Sequence, residues 1–208
     1  MGHKVFVSYK YSDYKSNKVK YRDLLMDELK SEGSIYRGED GYSDDLTDKK
    51  AETIKNRLKP IIHDSTVTIV LISPNICQSK WVDWEIHYSL MDVTREKEGR
   101  SRMSGLIGVL LPTEDQKYDY YRVKNECGSI LYKDGVIPQM IKDNRYNLIN
   151  QENVGITKCG KTYDKDYGSY ASLYTWDEFM KEFNQKIELA YKKSRELRQD
   201  YKINVIEE

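Results

Sequence analysis

The residue types best suited to chemistry lie close together in the run Ser79-Lys80-Trp81-Val82-Asp83-Trp84-Glu85. Ser79 predicts a helix N-cap, and Trp81, Trp84, Tyr88 and Met91 recur at helical spacing, as do Ile86, Leu90 and Val93. Glu85 follows Trp81 by four residues on the same side of that helix, and helical side chains lean back toward the N-terminus. Its carboxylate is therefore expected to face the loop above the preceding strand. In open α/β sheets ligands bind outside the carboxyl ends of the strands. Ser8, Tyr9, Tyr11 and Asp13, at the end of the first apolar run, are expected at the same edge as Ser73 and Trp81. A cleft with aromatic walls, hydroxyls and one carboxylate suits a ribosyl or base-bearing ligand. The alternative for Glu85 is a helix carboxylate near a positive helix terminus, a common stabilising placement.

Other patterns carry less. Gly155-Ile156-Thr157-Lys158-Cys159-Gly160-Lys161-Thr162 fits the phosphate-cradling GxxxxGK[ST] letter for letter. That loop works only between a buried strand and a helix start, and the flanks Asn147 to Gln151 and Tyr163 to Gly168 supply neither, so a polar turn is expected. His3, His63 and His87 lie in unrelated elements with no metal-binding spacing, and no metal site is expected. No Gly-x-Ser-x-Gly elbow and no GxGxxG appears, which argues against serine acyl transfer and a standard dinucleotide-binding Rossmann site.

Composition sets the bounds. The 208 residues suit one domain with a sizeable core. Lys+Arg and Asp+Glu are both 34, so net charge makes no electrostatic case for nucleic acid or an anionic membrane. The hydrophobic share is only 38%, but 18 tyrosines carry apolar area that this count undersells. No run has the length of a membrane span and the N-terminus leads straight into a strand, so a cytoplasmic protein is expected. Cys77, Cys127 and Cys159 are too few and too far apart for a disulfide framework, and predict free thiols.

The elements that must position Glu85 follow from periodicity. Lys4 to Tyr9 reads as the first strand, Lys10 to Asn17 as a loop, and Lys18 to Glu32 as a helix with Tyr21, Leu25 and Leu29 on one stripe and Gly33 at its C-terminal cap. A short second strand is expected around Ile35-Tyr36, followed by a loop to Asp45. A helix from near Leu46 carries Ala51, Ile54 and Leu58 inward and is expected to be disturbed by Pro60. Thr66 to Ile72 and Gly105 to Leu111 read as buried strands. Four alternations of strand and helix predict a parallel sheet covered on both faces. Residues 113–174 form a Tyr-rich elaboration, with a short strand at Ile130 to Tyr132 or Val136-Ile137. Thr175-Trp176-Asp177-Glu178 is a capping box that opens a C-terminal helix over about 176–199, with Phe179, Phe183, Ile187 and Tyr191 on one face.

Two of these stretches carry a family resemblance. Val5-Phe6-Val7-Ser8-Tyr9 with Asp13 resembles the opening motif of Toll/interleukin-1 receptor (TIR) domains. Ser79 to Glu85 resembles their S-x-W-C-x-x-E motif, whose glutamate is catalytic in the members that cleave NAD. The chain looks closest to the TIR-like proteins of the bacterial Thoeris antiphage system. Val82 stands in place of the usual cysteine, and the loop after the second strand lacks the usual Arg-Asp and Pro-Gly signature. The resemblance, strong over about Lys4 to Leu111 and thin beyond it, implies a flavodoxin-like, doubly wound α/β fold with a mostly parallel sheet and helices on both faces, and the length fits one such domain over residues 1–208. It implies an enzyme that uses NAD as substrate rather than as cofactor and makes an ADP-ribose-derived messenger, cyclic or conjugated to another small molecule, for a separate effector. Glu85 takes the catalytic role, Phe6, Ser8, Tyr9 and Trp81 pack or orient nicotinamide and ribose, and Ser43 and Asp45 contribute from the loop. Homo-oligomerisation is implied as well. The rivals are a non-catalytic TIR scaffold acting through assembly and a nucleoside deoxyribosyltransferase-like enzyme.

Overall fold

The computed structural model describes residues 2–37, 51–95, 99–100, 103–133, 135–151, 155–157 and 160–205. In chain order the elements are β1 (Lys4–Tyr9), α1 (Tyr11–Ser16), α2 (Tyr21–Ser31), β2 (Ile35–Arg37), α3 (Ala51–Asp64), β3 (Val67–Ile72), α4 (Lys80–Leu90), β4 (Thr94–Arg95), β5 (Gly99–Arg100) and β6 (Gly105–Leu110). Then come β7 (Arg122–Lys124), β8 (Ile130–Tyr132), α5 (Gln139–Asp143), β9 (Gly155–Thr157), β10 (Gly160–Thr162), β11 (Ala171–Thr175), α6 (Trp176–Lys181) and α7 (Phe183–Arg195).

Five strands form one sheet in the order β11-β6-β3-β1-β2, every neighbouring pair parallel. Counted along the chain this is the order 2-1-3-4-5, the flavodoxin-like, doubly wound arrangement. Parallel strands need crossover helices, and these cover both faces. On one face Val5, Val7, Ile69, Leu71, Ile107 and Val109 pack with Leu25 and Leu29 of α2, Phe179 of α6 and Phe183 and Ile187 of α7. On the other, Val70, Ile72, Leu106 and Leu110 pack with Val82, Ile86 and Leu90 of α4 and Ile141 of α5. Phe6 joins Ile54, Leu58 and Ile62 of α3 and Trp84 of α4.

The fifth strand, β11, lies in the Tyr-rich region, where the sequence predicts no such element. Ser172, Tyr174 and Thr175 disguise it as polar, although all its residues are buried. Tyrosine acts here as a core residue with a polar tip. Tyr121, Tyr170 and Tyr174 are at most 1% exposed. Their hydroxyls donate to Ile72 O, Ser104 O and Asp166 Oδ1 at 2.8, 2.8 and 2.7 Å, so each of these three buried phenols is paired.

Other expectations are corrected. The stretch after β1 is not a plain loop: α1 forms there, with the Asp13 and Tyr14 amides donating to Lys10 O and Asp13 itself buried as its anchor. Pro60 lies within α3 without ending it, because Ile54, Leu58 and Ile62 on both sides of it are held in the core. The C-terminal helix is broken at Glu182 into α6 and α7, and it ends at Arg195 rather than near 199. The break lets Phe179 and Phe183, ring centroids 5.3 Å apart, both reach the core. The capping box of Thr175 and Glu178 is present as expected. Cys127 is disulfide-bonded, which corrects the expectation of three free thiols, while Cys77 is free. Separation along the chain does not measure distance across a fold. Gly155–Thr157 and Gly160–Thr162 pair as antiparallel strands with no helix directly after them, so the GxxxxGK[ST] pattern lacks the helix N-terminus it needs. Among the described residues no helix is long and apolar enough to cross a membrane, and no group of His, Cys, Asp and Glu is arranged to hold a metal.

Two features of the core yield measurable consequences. A Cβ on Gly105 of β6 would stand 2.1 Å from the Ala190 carbonyl oxygen of α7, a backbone atom that cannot move aside alone. Gly105→Ala is expected to destabilise the chain by about 2 kcal/mol in urea unfolding, the typical scale for overpacking, and an unchanged midpoint would show that α7 does not press on β6 there. Lys193 is 0% exposed and donates to Ser169 O at 2.6 Å and Ser172 Oγ at 2.7 Å, which uses both N–H bonds of a neutral amine. Burial lowers it from 10.5 to about 7. A lysine depressed on folding is charged in both states below pH 7 and charged only in the unfolded chain between the two values, so stability rises with pH across that window. From pH 7 to pH 9 the stability of the wild-type chain relative to Lys193→Met should grow by about 2 kcal/mol, and a pH-independent difference would refute the buried neutral amine.

Candidate functional site

The pleat of β1 decides which residues meet. Successive side chains of a strand point to opposite faces. Phe6 and Ser8 therefore face α3 and α4, while Val5, Val7 and Tyr9 face α2 and α7. Ser8, only 1% exposed, donates from its hydroxyl to Glu85 Oε2 at 2.5 Å. This bond ties the carboxyl end of β1 to α4 across 77 residues of sequence.

Helix α4 starts where its cap predicts. Ser79 has an extended backbone and its hydroxyl accepts from the Val82 amide at 3.4 Å. The helix then divides by its period. Val82, Ile86, Ser89 and Leu90 are buried against the sheet. Trp81, Glu85 and Tyr88 share one flank. Lys80, Asp83 and His87 share the other, beside a separate cleft of about 420 Å³ that Gly135, Ile137, Pro138 and Met140 help to line, and Trp84 lies between the two flanks and borders that cleft. Burial raises the Asp83 carboxyl in that cleft above its usual range. Glu85 is half-buried, and Trp81 and Tyr88 pack against the cluster of Phe6 and Trp84. Trp84 and Tyr88 stack with ring centroids 5.5 Å apart. The flank presents an oriented carboxylate beside aromatic surface, an arrangement able to stabilise a cationic centre.

Ser8, Trp81 and Glu85 thus share one side of the sheet. Phe6 is on that side but 2% exposed, buried within the cluster against which Trp81 packs. Tyr9 is not with them. Its hydroxyl accepts from Arg22 Nη1 at 2.9 Å on the opposite face. Arg22, 6% exposed, also donates through Nε and Nη2 to Asp23 Oδ1 and through Nη2 to Tyr14. Burial disfavours the guanidinium charge, but Asp23 and Tyr9 outweigh it and hold the group further up than usual. The cavity beside Tyr9, Asp13 and Arg22 is about 20 Å³, room for one water. Ser43 and Asp45 lie outside the described residues.

The loop from Ser73 to Ser79 carries partners that sequence reasoning missed. Asp13 Oδ2 accepts from Ser73 Oγ at 2.5 Å, Lys10 Nζ donates to Asn75 O and Gln78 Oε1 at 3.1 Å each, and Tyr120 donates to Pro74 O at 2.9 Å. The sequence places Asp13 and Ser73 at this edge, but nothing in their spacing shows that they pair. Lys10 and Tyr120 carry no local signal at all.

Comparison with known proteins adds two findings. The family model described as Thoeris protein ThsB, TIR-like domain, matches residues 6–116, just over half of the chain. That stretch holds Ser8, Trp81 and Glu85. A solved structure described as the activated Roq1 resistosome directly recognizing the pathogen effector XopQ (TIR domains) is similar at 20% identity and a TM-score of 0.35. The similarity covers 57% of this chain and 66%, just under two thirds, of that one.

The Ser79 cap is the link most easily tested on its own. Ser79→Ala should lower stability by about 1 kcal/mol, read as a fall of a few degrees in melting temperature. An unchanged melting temperature would mean that the first turn of α4 is held by its loop alone.

Proposed function

The chain belongs to the Thoeris ThsB family through its TIR-like domain, and we propose that it consumes NAD by cleaving the nicotinamide–ribose bond at Glu85. The observation that supports this reading most directly is the hydrogen bond from Ser8 to Glu85, which aims a carboxylate over the carboxyl edge of the sheet, where ligands of such folds bind.

The leaving group dictates the chemistry. When the bond between ribose C1′ and the nicotinamide nitrogen breaks, its electron pair leaves with a ring that becomes neutral, so little acid help is needed. The difficulty is the oxocarbenium-like charge left on the ribose. A fixed carboxylate stabilises that charge more than it stabilises bound NAD, which is the condition for accelerating the step. Ser8 keeps one carboxylate oxygen oriented, and Trp81 offers the aromatic surface against which nicotinamide or ribose packs. A lone pair then bonds to C1′ and the attacking group sheds a proton. Water gives ADP-ribose; a hydroxyl or adenine nitrogen of the same molecule gives a cyclic product. We assign the cyclic outcome, a messenger for a separate effector in antiphage defence, on the strength of the family, and the same membership supports self-association and a cytoplasmic setting.

Mass spectrometry after incubation of the purified chain with NAD tests this. Wild type should release nicotinamide, and Glu85→Gln should reduce the rate at least about 100-fold, the scale for losing one electrostatic stabiliser. Ser8→Ala should fall between the two. If wild type and Glu85→Gln alike leave NAD untouched, assembled or not, the enzymatic reading is wrong and a scaffold acting by assembly replaces it.

A further inference from the structure

The loop that leads from β3 into α4 is held by side chains from two distant parts of the chain. Asp13, 9% exposed, and Ser73, 3% exposed, share a 2.5 Å hydrogen bond. Burying a carboxylate is unfavourable unless it is paired, and here Ser12 Oγ at 3.4 Å and Lys10 Nζ at 3.7 Å complete its surroundings. Lys10 passes on to Asn75 O and Gln78 Oε1. From the other side, Tyr121 donates to Ile72 O at 2.8 Å and Tyr120 to Pro74 O at 2.9 Å. The carbonyls of Ile72, Pro74 and Asn75 are thus each taken by a side chain from elsewhere. Loops at sheet edges rarely need that many anchors for stability alone, since their backbone groups can be satisfied by water.

The loop ends at Ser79, the cap of the helix that carries Glu85. We propose that Asp13, acting through Ser73, is a positioning residue that holds the loop and so sets where α4 begins and where Glu85 stands against Ser8. The proposal rests on the NAD reading above and adds a residue to it. Asp13 touches the sheet on the side of Tyr9 and Arg22, so it acts on the reaction through the loop and not by contact with substrate. Tyr120 and Tyr121, from the Tyr-rich elaboration, serve the same loop. A reacting carboxylate displaced by about 1 Å can lose on the order of 100-fold in rate, while ground-state binding through the rest of the ligand is little changed. The signature of positioning is therefore a fall in kcat with KM preserved.

The test compares Asp13→Ala, Asp13→Asn and Ser73→Ala with wild type, by saturation kinetics of nicotinamide release and by amide hydrogen exchange. Asp13→Ala and Ser73→Ala are expected to lower kcat about tenfold or more with KM within about twofold, and to raise exchange over residues 74–82 while β1 and β3 stay protected. Asp13→Asn, whose amide oxygen still accepts from Ser73, should restore most of both. Should Asp13→Ala fail to fold, Ser73→Ala, which removes one oxygen, carries the comparison. An active wild type whose alanine variants keep their kcat, or whose loop exchange does not change, overturns the positioning role and leaves the NAD reading standing. A wild type that leaves NAD intact overturns both.

Discussion

The arrangement depends on the two-residue period of one strand. β1 is buried on both faces, so its alternation sends Ser8 to α4 and Tyr9 to α2 without choice. A shift of one residue in its register with β3 would exchange them and bring a phenol to Glu85 in place of a hydroxyl. The register is fixed by pairing along five positions, Val5 with Val67 through Tyr9 with Leu71. The precision of the Ser8–Glu85 contact is therefore inherited from the core and not from the residues that make it.

Around that strand the chain solves the same problem repeatedly: how to close a core with few aliphatic residues and many polar ones. Buried tyrosines fill volume and end on a backbone carbonyl or a carboxylate. Lys193 fills space between α7 and β11, and burial there lowers its ammonium to about 7. Lys186 keeps its charge, raised because Glu182 and Asp166 outweigh burial. Asp166 in turn is lowered: burial opposes its charge, but Tyr174 and Lys186 hold it. The networks of Lys193 and of Asp166, Lys186 and Tyr174 lie on the α7 side of the sheet, whereas Tyr121 and Tyr170 pack on the α4 side; the former give the last strand and the last two helices a specific fit.

The boundary of the family match has a structural counterpart. Residues 6–116 include four of the five sheet strands and both ends of the Ser8–Glu85 bond. The remainder of the chain contributes β11, the two C-terminal helices and the tyrosines that grip the β3–α4 loop. The part outside the match thus supports the matched part mechanically, through the loop ahead of α4.

Local signals were enough for the elements nearest the site. The apolar runs at β1, β3 and β6, the Ser79 cap, the Thr175 capping box and the inward positions Trp84, Ile86 and Leu90 of α4 are legible along the chain, because each rests on interactions within a few residues. Helix α4 ends at Leu90, however, and leaves Met91 and Val93 beyond it, with Met91 exposed. Glu85 can be singled out in the same way. Only the folded chain decided that Ser8 and not Tyr9 reaches it, that β11 completes the sheet in spite of its hydroxyls, that Asp13 pairs with Ser73 and that Cys127 is bonded. Each of these joins residues far apart in sequence, and such contacts are set by strand register, crossover packing and burial, which no local pattern of residue types encodes.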